Sequence, residues 1–241
     1  MLLGRRTLFS IAWLSGFMFL VKRGFGDDLA TPDNPEPFGY KTGWLAISTS
    51  DTTAVIDQLG LTQVQAATWR RGLEETRAYP PKGVPVFVCP SINGWTLVVT
   101  GLNVDGDSEA LRKTLCDLSN RFGDAQYFAS YRVVNAQVWQ RARHGAMERA
   151  FSVADGTVTL NFGAITRDEM DLGLPDISAL TPEYLTKASN PLYDGWIFGS
   201  EDNPLLLAEK WSINPLKIGT DFATTPSTGY LAQMRDRSTA K

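Results

Sequence analysis

Val84-Pro85-Val86-Phe87-Val88-Cys89-Pro90-Ser91-Ile92-Asn93-Gly94-Trp95-Thr96-Leu97-Val98-Val99-Thr100 is the stretch on which the reading of this chain turns. Two valine-rich runs flank a Pro-Ser-Ile-Asn-Gly break, and apolar runs of this kind belong to strands covered on both faces. The pattern predicts two adjacent strands, joined by a tight turn, at the centre of a sheet. Its message is architectural rather than chemical.

Moving outward, Asp107 or Ser108 is placed to cap a helix in which Leu111, Leu115, Leu118 and Phe122 share one face and Gly123 is the stop. That apolar face must cover a sheet, and the central hairpin is its expected support. Residues 125–134 alternate Tyr127, Ala129, Tyr131 and Val133 against Gln126, Phe128, Ser130 and Arg132, the period of a strand. Residues 137–143, 147–154 and 157–162 continue as a meander, with a strong hairpin signal at Asp155-Gly156 and a weaker one at His144-Gly145. On the other side, residues 43–48 read as a strand, and Asp51 caps a helix carrying Val55, Ile56 and Leu59 that ends at Gly60. A short strand is expected within 61–69. Over 70–78, Glu74 and Glu75 among Arg70, Arg71 and Arg77 mark the solvated face of a short helix.

This order predicts an α+β fold: an antiparallel or mixed sheet with helices packed mainly on one face. Its first part has the βαββαβ order of a ferredoxin-like unit, followed by a β-meander. Three later helix starts stand at Thr166-Arg167-Asp168-Glu169, a capping box, and at Thr181-Pro182 and Asn203-Pro204. The last of these should run through 205–211 and stop before Asn214-Pro215. The expected organisation is a targeting segment over 1–26, a proline-rich linker over 27–39, one domain over 40–219 and a flexible tail over 220–241.

With 241 residues and a 43% apolar fraction the chain can bury a substantial core. Its formal charge of −3 conceals an asymmetry, because Arg5, Arg6, Lys22 and Arg23 all precede the first acidic residue, Asp27. Four of the 23 basic residues are thereby set aside, leaving 19 against 26 acidic ones. A body of that sign is a poor partner for nucleic acid, whose phosphates demand a basic face.

The start of the chain reads as an address. Arg5-Arg6 precedes a 14-residue apolar run over 8–21, which as a helix reaches roughly 21 Å. That falls short of the ~30 Å hydrocarbon core of a bilayer, so a signal fits better than a span. The segment Gly4-Arg5-Arg6-Thr7-Leu8-Phe9-Ser10 resembles a twin-arginine export signal, departing from it at Gly4 and Ser10. The resemblance implies export to the periplasm, or anchoring in the inner membrane by residues 8–21, with a cytoplasmic protein as the alternative.

A single histidine limits the chemistry. Zinc sites built on several histidines are excluded, no Walker A, GxGxxG or GxSxG string occurs, and no cofactor is implied. A serine or cysteine nucleophile would have to recruit His144, which sits at an expected hairpin turn among Arg141, Arg143 and Arg149. The valine-rich surroundings of Cys89 would raise a thiol pKa, and Cys89 and Cys116 read as buried thiols, with one disulfide as the alternative for an exported protein. The acidic residues Asp168, Glu169, Asp171 and Asp176 lack the spacing of a calcium loop. The candidate binding residues are Trp139, Arg141 and Arg143: on a strand they share a face, and together they offer charge and stacking to a protein partner or a small acidic ligand.

The blocks Val86-Phe87-Val88-Cys89-Pro90 with Asn93-Gly94-Trp95, Phe122-Gly123-Asp124-Ala125-Gln126-Tyr127-Phe128, and Trp211-Ser212-Ile213-Asn214-Pro215 resemble those of a family of uncharacterised bacterial proteins, over residues 43–215. No activity attaches to these blocks, so the resemblance implies no catalytic residue. The functional expectation is a non-enzymatic, envelope-facing binding or interaction protein of the accessory or immunity-like kind. The alternative is a hydrolase or transferase whose site no motif reveals.

Overall fold

In chain order the elements are β1 (Thr42–Ile47), α1 (Thr52–Leu59), β2 (Thr62–Ala67), α2 (Trp69–Thr76), β3 (Val84–Val88), β4 (Thr96–Gly101), α3 (Glu109–Phe122), β5 (Asp124–Tyr131), β6 (Ala136–Arg143), β7 (Ala146–Ala154), β8 (Thr157–Phe162), α4 (Arg167–Asp171), α5 (Asn203–Trp211) and β9 (Gly229–Met234). The structure is a computed structural model and describes residues 31–77, 83–102, 104–177 and 200–234. The export signal over 1–26 and the helix start at Thr181-Pro182 lie outside the described residues.

The valine-rich stretch forms the hairpin β3/β4, with Phe87 opposite Val99 and Val88 opposite Val98. At its tip Ile92 and Trp95 exchange two backbone hydrogen bonds of 2.8 and 2.9 Å, and Asn93 and Gly94 turn the corner with φ of 47° and 82°. This is the two-residue Asn-Gly turn whose twist matches that of the strands it joins. Among the described residues all nine strands pair antiparallel in one sheet, ordered β2-β9-β3-β4-β1-β5-β6-β7-β8. The architecture is α+β with an antiparallel sheet.

Alternation along the hairpin sends Val86, Val88 and Val98 to one face and Phe87, Cys89, Leu97 and Val99 to the other, and both faces are buried. On the first, α1 supplies Val55, Ile56 and Leu59 and α3 supplies Leu111, Leu115 and Leu118. On the second, α2 supplies Trp69 and Leu73, and α5 supplies Leu205, Leu207, Ala208 and Trp211. The expectation of helices mainly on one face is thus corrected: strands apolar on both sides require a layer on each. A second correction concerns α3, which packs chiefly over β5, β6 and β7, while α2 is the helix that covers β3. There Trp69 meets Phe87 edge-on at 5.6 Å, and a Cβ at Gly72 would stand 2.1 Å from the Phe87 ring.

The N-caps read at Asp51, Ser108 and Thr166 operate as expected, whereas Asn203, read as a cap before Pro204, is itself the first residue of α5 and Asp202 stands at its N-cap. The Asp51 carboxylate accepts from Ala54 N, the Ser108 hydroxyl from Leu111 N, and Thr166 and Glu169 form a reciprocal capping box.

Two boundaries differ. The body does not begin at Tyr40. The Asp33 carboxylate accepts from Trp69 N at 2.6 Å and Arg70 N at 3.0 Å, adding a cap to α2, and Phe38 is buried edge-on against Trp44. Nor does it end at 219. Residues Gly229–Met234, within the expected flexible tail, form β9, which lies between β2 and β3 and pairs with both. Gly229 lets this strand close on the hairpin, since a Cβ there would stand 2.4 Å from the Val88 carbonyl oxygen.

Candidate functional site

The three residues singled out from the sequence do share a face of β6, and the chain consumes them. Trp139 is enclosed, stacked on Phe151 at 4.4 Å, and its Nε1 donates to Glu169 Oε1 at 2.8 Å. Arg141 donates to Asp124 Oδ2 from Nε at 3.1 Å and from Nη2 at 2.7 Å, and its guanidinium lies over the Trp211 ring. Arg143 donates from Nε to the same oxygen at 3.1 Å. Asp124 enters β5 directly after the helix-stopping Gly123, so register alone sets it opposite Arg143. Only Arg143, with 46% of its side chain exposed, retains substantial contact with solvent.

Behind them lies a buried ion pair. Arg149 Nε donates to both oxygens of Glu169, at 2.9 and 3.0 Å, while Arg149 Nη1 donates to Asn161 Oδ1 and to the carbonyl of Phe162. Glu169 also accepts from Thr166 N and Oγ1. One carboxylate thereby completes the capping box of α4 and ties that helix to β6 and β7. Its other acidic neighbours are engaged as well: Asp168 accepts from Trp211 Nε1 and Asp171 from Arg167. Among the described residues no group of three or more His, Cys, Asp or Glu is placed to hold a metal ion.

The sulfur chemistry considered from the sequence is not assembled. Cys89 lies in the core of one sheet face and Cys116 packs against the other, so both thiols are free. Burial pushes the Cys89 thiol far up, the opposite of what a nucleophile needs. His144 occupies the β6/β7 turn with φ of 48°, exposed, and the hydrogen bond that fixes it runs from its backbone N–H to Gly123 O.

A different constellation emerges at the end of the sheet where β1 starts and β4 and β5 finish. A cleft of about 400 Å³ opens there, lined by Tyr40, Lys41, Arg77, Gly101, Leu102 and Tyr131. Lys41 is held in a left-handed turn with φ of 53°, and Arg77 is the C-terminal cap of α2. Both cations are exposed, and neither side chain makes a hydrogen bond or ion pair with a described residue. The other described lysines and arginines are engaged: Arg70 with Glu36, Lys113 with Asp117, Arg132 with Glu201, Lys217 with Glu209, and so through the chain. Of the lining residues, Tyr40 is tied to an acid outside the cleft, its hydroxyl donating to Asp202 Oδ1 at 2.7 Å. That bond pushes the Tyr40 phenol up to about 12, with burial and the charges of Asp202 and Glu201 adding to it.

No family model matches this chain, and no curated protein or solved structure does so either. Among the described residues no helix is long and apolar enough to cross a membrane.

Proposed function

We propose that the protein is an exported, envelope-facing binding protein of the accessory or immunity-like kind, which acts without catalysis by taking a small acidic ligand into the cleft of Tyr40, Lys41, Arg77 and Tyr131. The observation that carries this reading is the coincidence of the two cations free of described partners in one concavity. An anion there meets two charges that pair with no described carboxylate, with tyrosine rings on its flanks. The export part rests on Arg5-Arg6 ahead of the apolar run over 8–21.

For the scaffold we read β1, α1, β3, β4, α3 and β5 as a ferredoxin-like unit into which β2 and α2 are inserted. The order β3-β4-β1-β5, with α1 and α3 on one face, supports this reading.

Adding acetate or inorganic phosphate should shift the Arg77 Nε–H resonance saturably in an NMR titration. The double variant Lys41→Ala, Arg77→Ala should lose the saturable response elsewhere in the cleft while unfolding within about 0.5 kcal/mol of the parent, since both side chains are exposed. A response that survives the double variant would sink the assignment. Export is tested separately, by fusing residues 1–30 to a reporter: Arg5→Lys with Arg6→Lys should abolish it.

A further inference from the structure

We infer that the ligand of this cleft is an amphiphile: a single anionic group held by Lys41 and Arg77, carrying a short apolar body that enters a second chamber behind Leu102 and Tyr131. This inference rests on the anion-binding reading above and specifies its ligand class. The chamber has about 240 Å³ and shares Leu102 and Tyr131 with the cationic cleft, so the two adjoin and only these two side chains are common to both. Its other walls include Val104, Tyr127, Ala129 and Val138.

The void has a cause in the sequence. Ala129 on β5, Val138 on β6 and Ser152 on β7 stand side by side across the sheet, and Ala154 follows at the end of β7. Small side chains occupy positions where a close-packed layer would carry leucine or isoleucine. Helix α3 does not fill the gap, because it starts only at Glu109 and residues 104–107 before it lie over this end of the sheet. Gly106 fixes how low the loop lies: a Cβ there would stand 2.8 Å from Val138. The result is a recess between sheet and loop with mostly apolar walls.

Its polar rim restricts the ligand further. Asp107 Oδ1 is buried and accepts no hydrogen bond from a described residue, while Asp105 Oδ1 accepts from Asp107 N. Two carboxylates at the chamber repel a second negative charge, so the body that enters is neutral. A monocarboxylate with an aliphatic chain or a ring satisfies both ends of the site, and a dicarboxylate of the same length does not. At about 30 Å³ for a water-sized group, the chamber holds on the order of eight such groups.

The test is calorimetric titration of the folded protein with acetate, butyrate, hexanoate, octanoate and the dicarboxylate suberate. Affinity is expected to rise about three- to fourfold per added methylene, level off near octanoate, and fall at least about tenfold from octanoate to suberate. Ala154→Leu, at the half-exposed end of the chamber, should reduce octanoate to the affinity of acetate and leave acetate unchanged; Ala129→Leu provides the same test deeper in. Equal affinity for acetate and octanoate, both lost in the Lys41→Ala, Arg77→Ala variant, would overturn the amphiphile and leave the anion site standing. Octanoate binding that ignores Lys41 and Arg77 but yields to Ala154→Leu would overturn the anion site instead. Failure of every acid to bind would overturn both.

Discussion

Two sets of cations in this chain make opposite use of the same chemistry. Arg141, Arg143 and Arg149, on β6 and β7, are spent inside the protein, on Asp124 and Glu169. Lys41 and Arg77, one in a turn and one at a helix end, form no ion pair with a described carboxylate and face a cleft. Position on a strand face decides which way an arginine points; whether its charge remains available is decided by acids contributed from elsewhere in the chain. Arg149 and Glu169 are brought together only by the return of the chain after β8, and Asp124 reaches Arg141 only across the β5/β6 ladder.

The largest expected consequence of this contrast lies at Glu169. Glu169→Ala leaves the Arg149 guanidinium buried without its counter-charge and strips Trp139 Nε1 and Thr166 of their acceptor. A loss of about 3–5 kcal/mol is expected from urea unfolding. A loss below about 1 kcal/mol would mean that water replaces the carboxylate and that the interior pair does not constrain the fold.

Asp124→Ala sharpens the comparison by turning one set of cations into the other. Removing the carboxylate that both Arg141 and Arg143 address should cost about 1.5–3 kcal/mol, the range for hydrogen bonds to a charged group. It should also create an anion site on β6, visible as a new saturable phosphate response that persists when Lys41 and Arg77 are both alanine. Without that gain, the exposure of the freed arginines is too small to bind, and availability depends on concavity as much as on pairing.

Much of the scaffold was legible because its signals are local. Asn93-Gly94, the caps at Asp51, Ser108 and Thr166, and the leucine face of α3 each state their role within a few residues. What escaped was non-local. β9 carries only Leu231 and Ala232 as buried apolar side chains among Gly229, Tyr230, Gln233 and Met234, and its place is set by backbone pairing with β2 and β3 rather than by its own pattern. Asp33 looked like linker because its function is to cap a helix that begins 36 residues later. The cleft was invisible for the same reason: Lys41 follows a proline-rich segment, and Arg77 stands among mixed charges that mark the solvated face of α2. The one usable signal was the left-handed turn at Gly39-Tyr40-Lys41-Thr42, and a glycine two residues before a lysine is too common to single out.

The smallest effect concerns Tyr40, which decides whether Asp202 belongs to the interior set of acids or to the cleft. Its hydroxyl donates to Asp202, and the folded-state phenol is pushed up to about 12 from an ordinary value of 10.0. Because the folded value lies above the unfolded one, the contribution to stability is complete below pH 10 and disappears as the pH rises through about 12. An ultraviolet titration should therefore contain a late phenolic step that Tyr40→Phe removes and that Asp202→Asn moves back toward the ordinary range. Tyr127 does not compete for this assignment, since burial pushes its phenol further still. With the hydroxyl gone, Asp202 is free to turn toward Lys41, so Tyr40→Phe should also weaken acetate binding at neutral pH. Unchanged binding would show that Asp202 is too far from Lys41 to compete, and that the cation is kept open by distance alone.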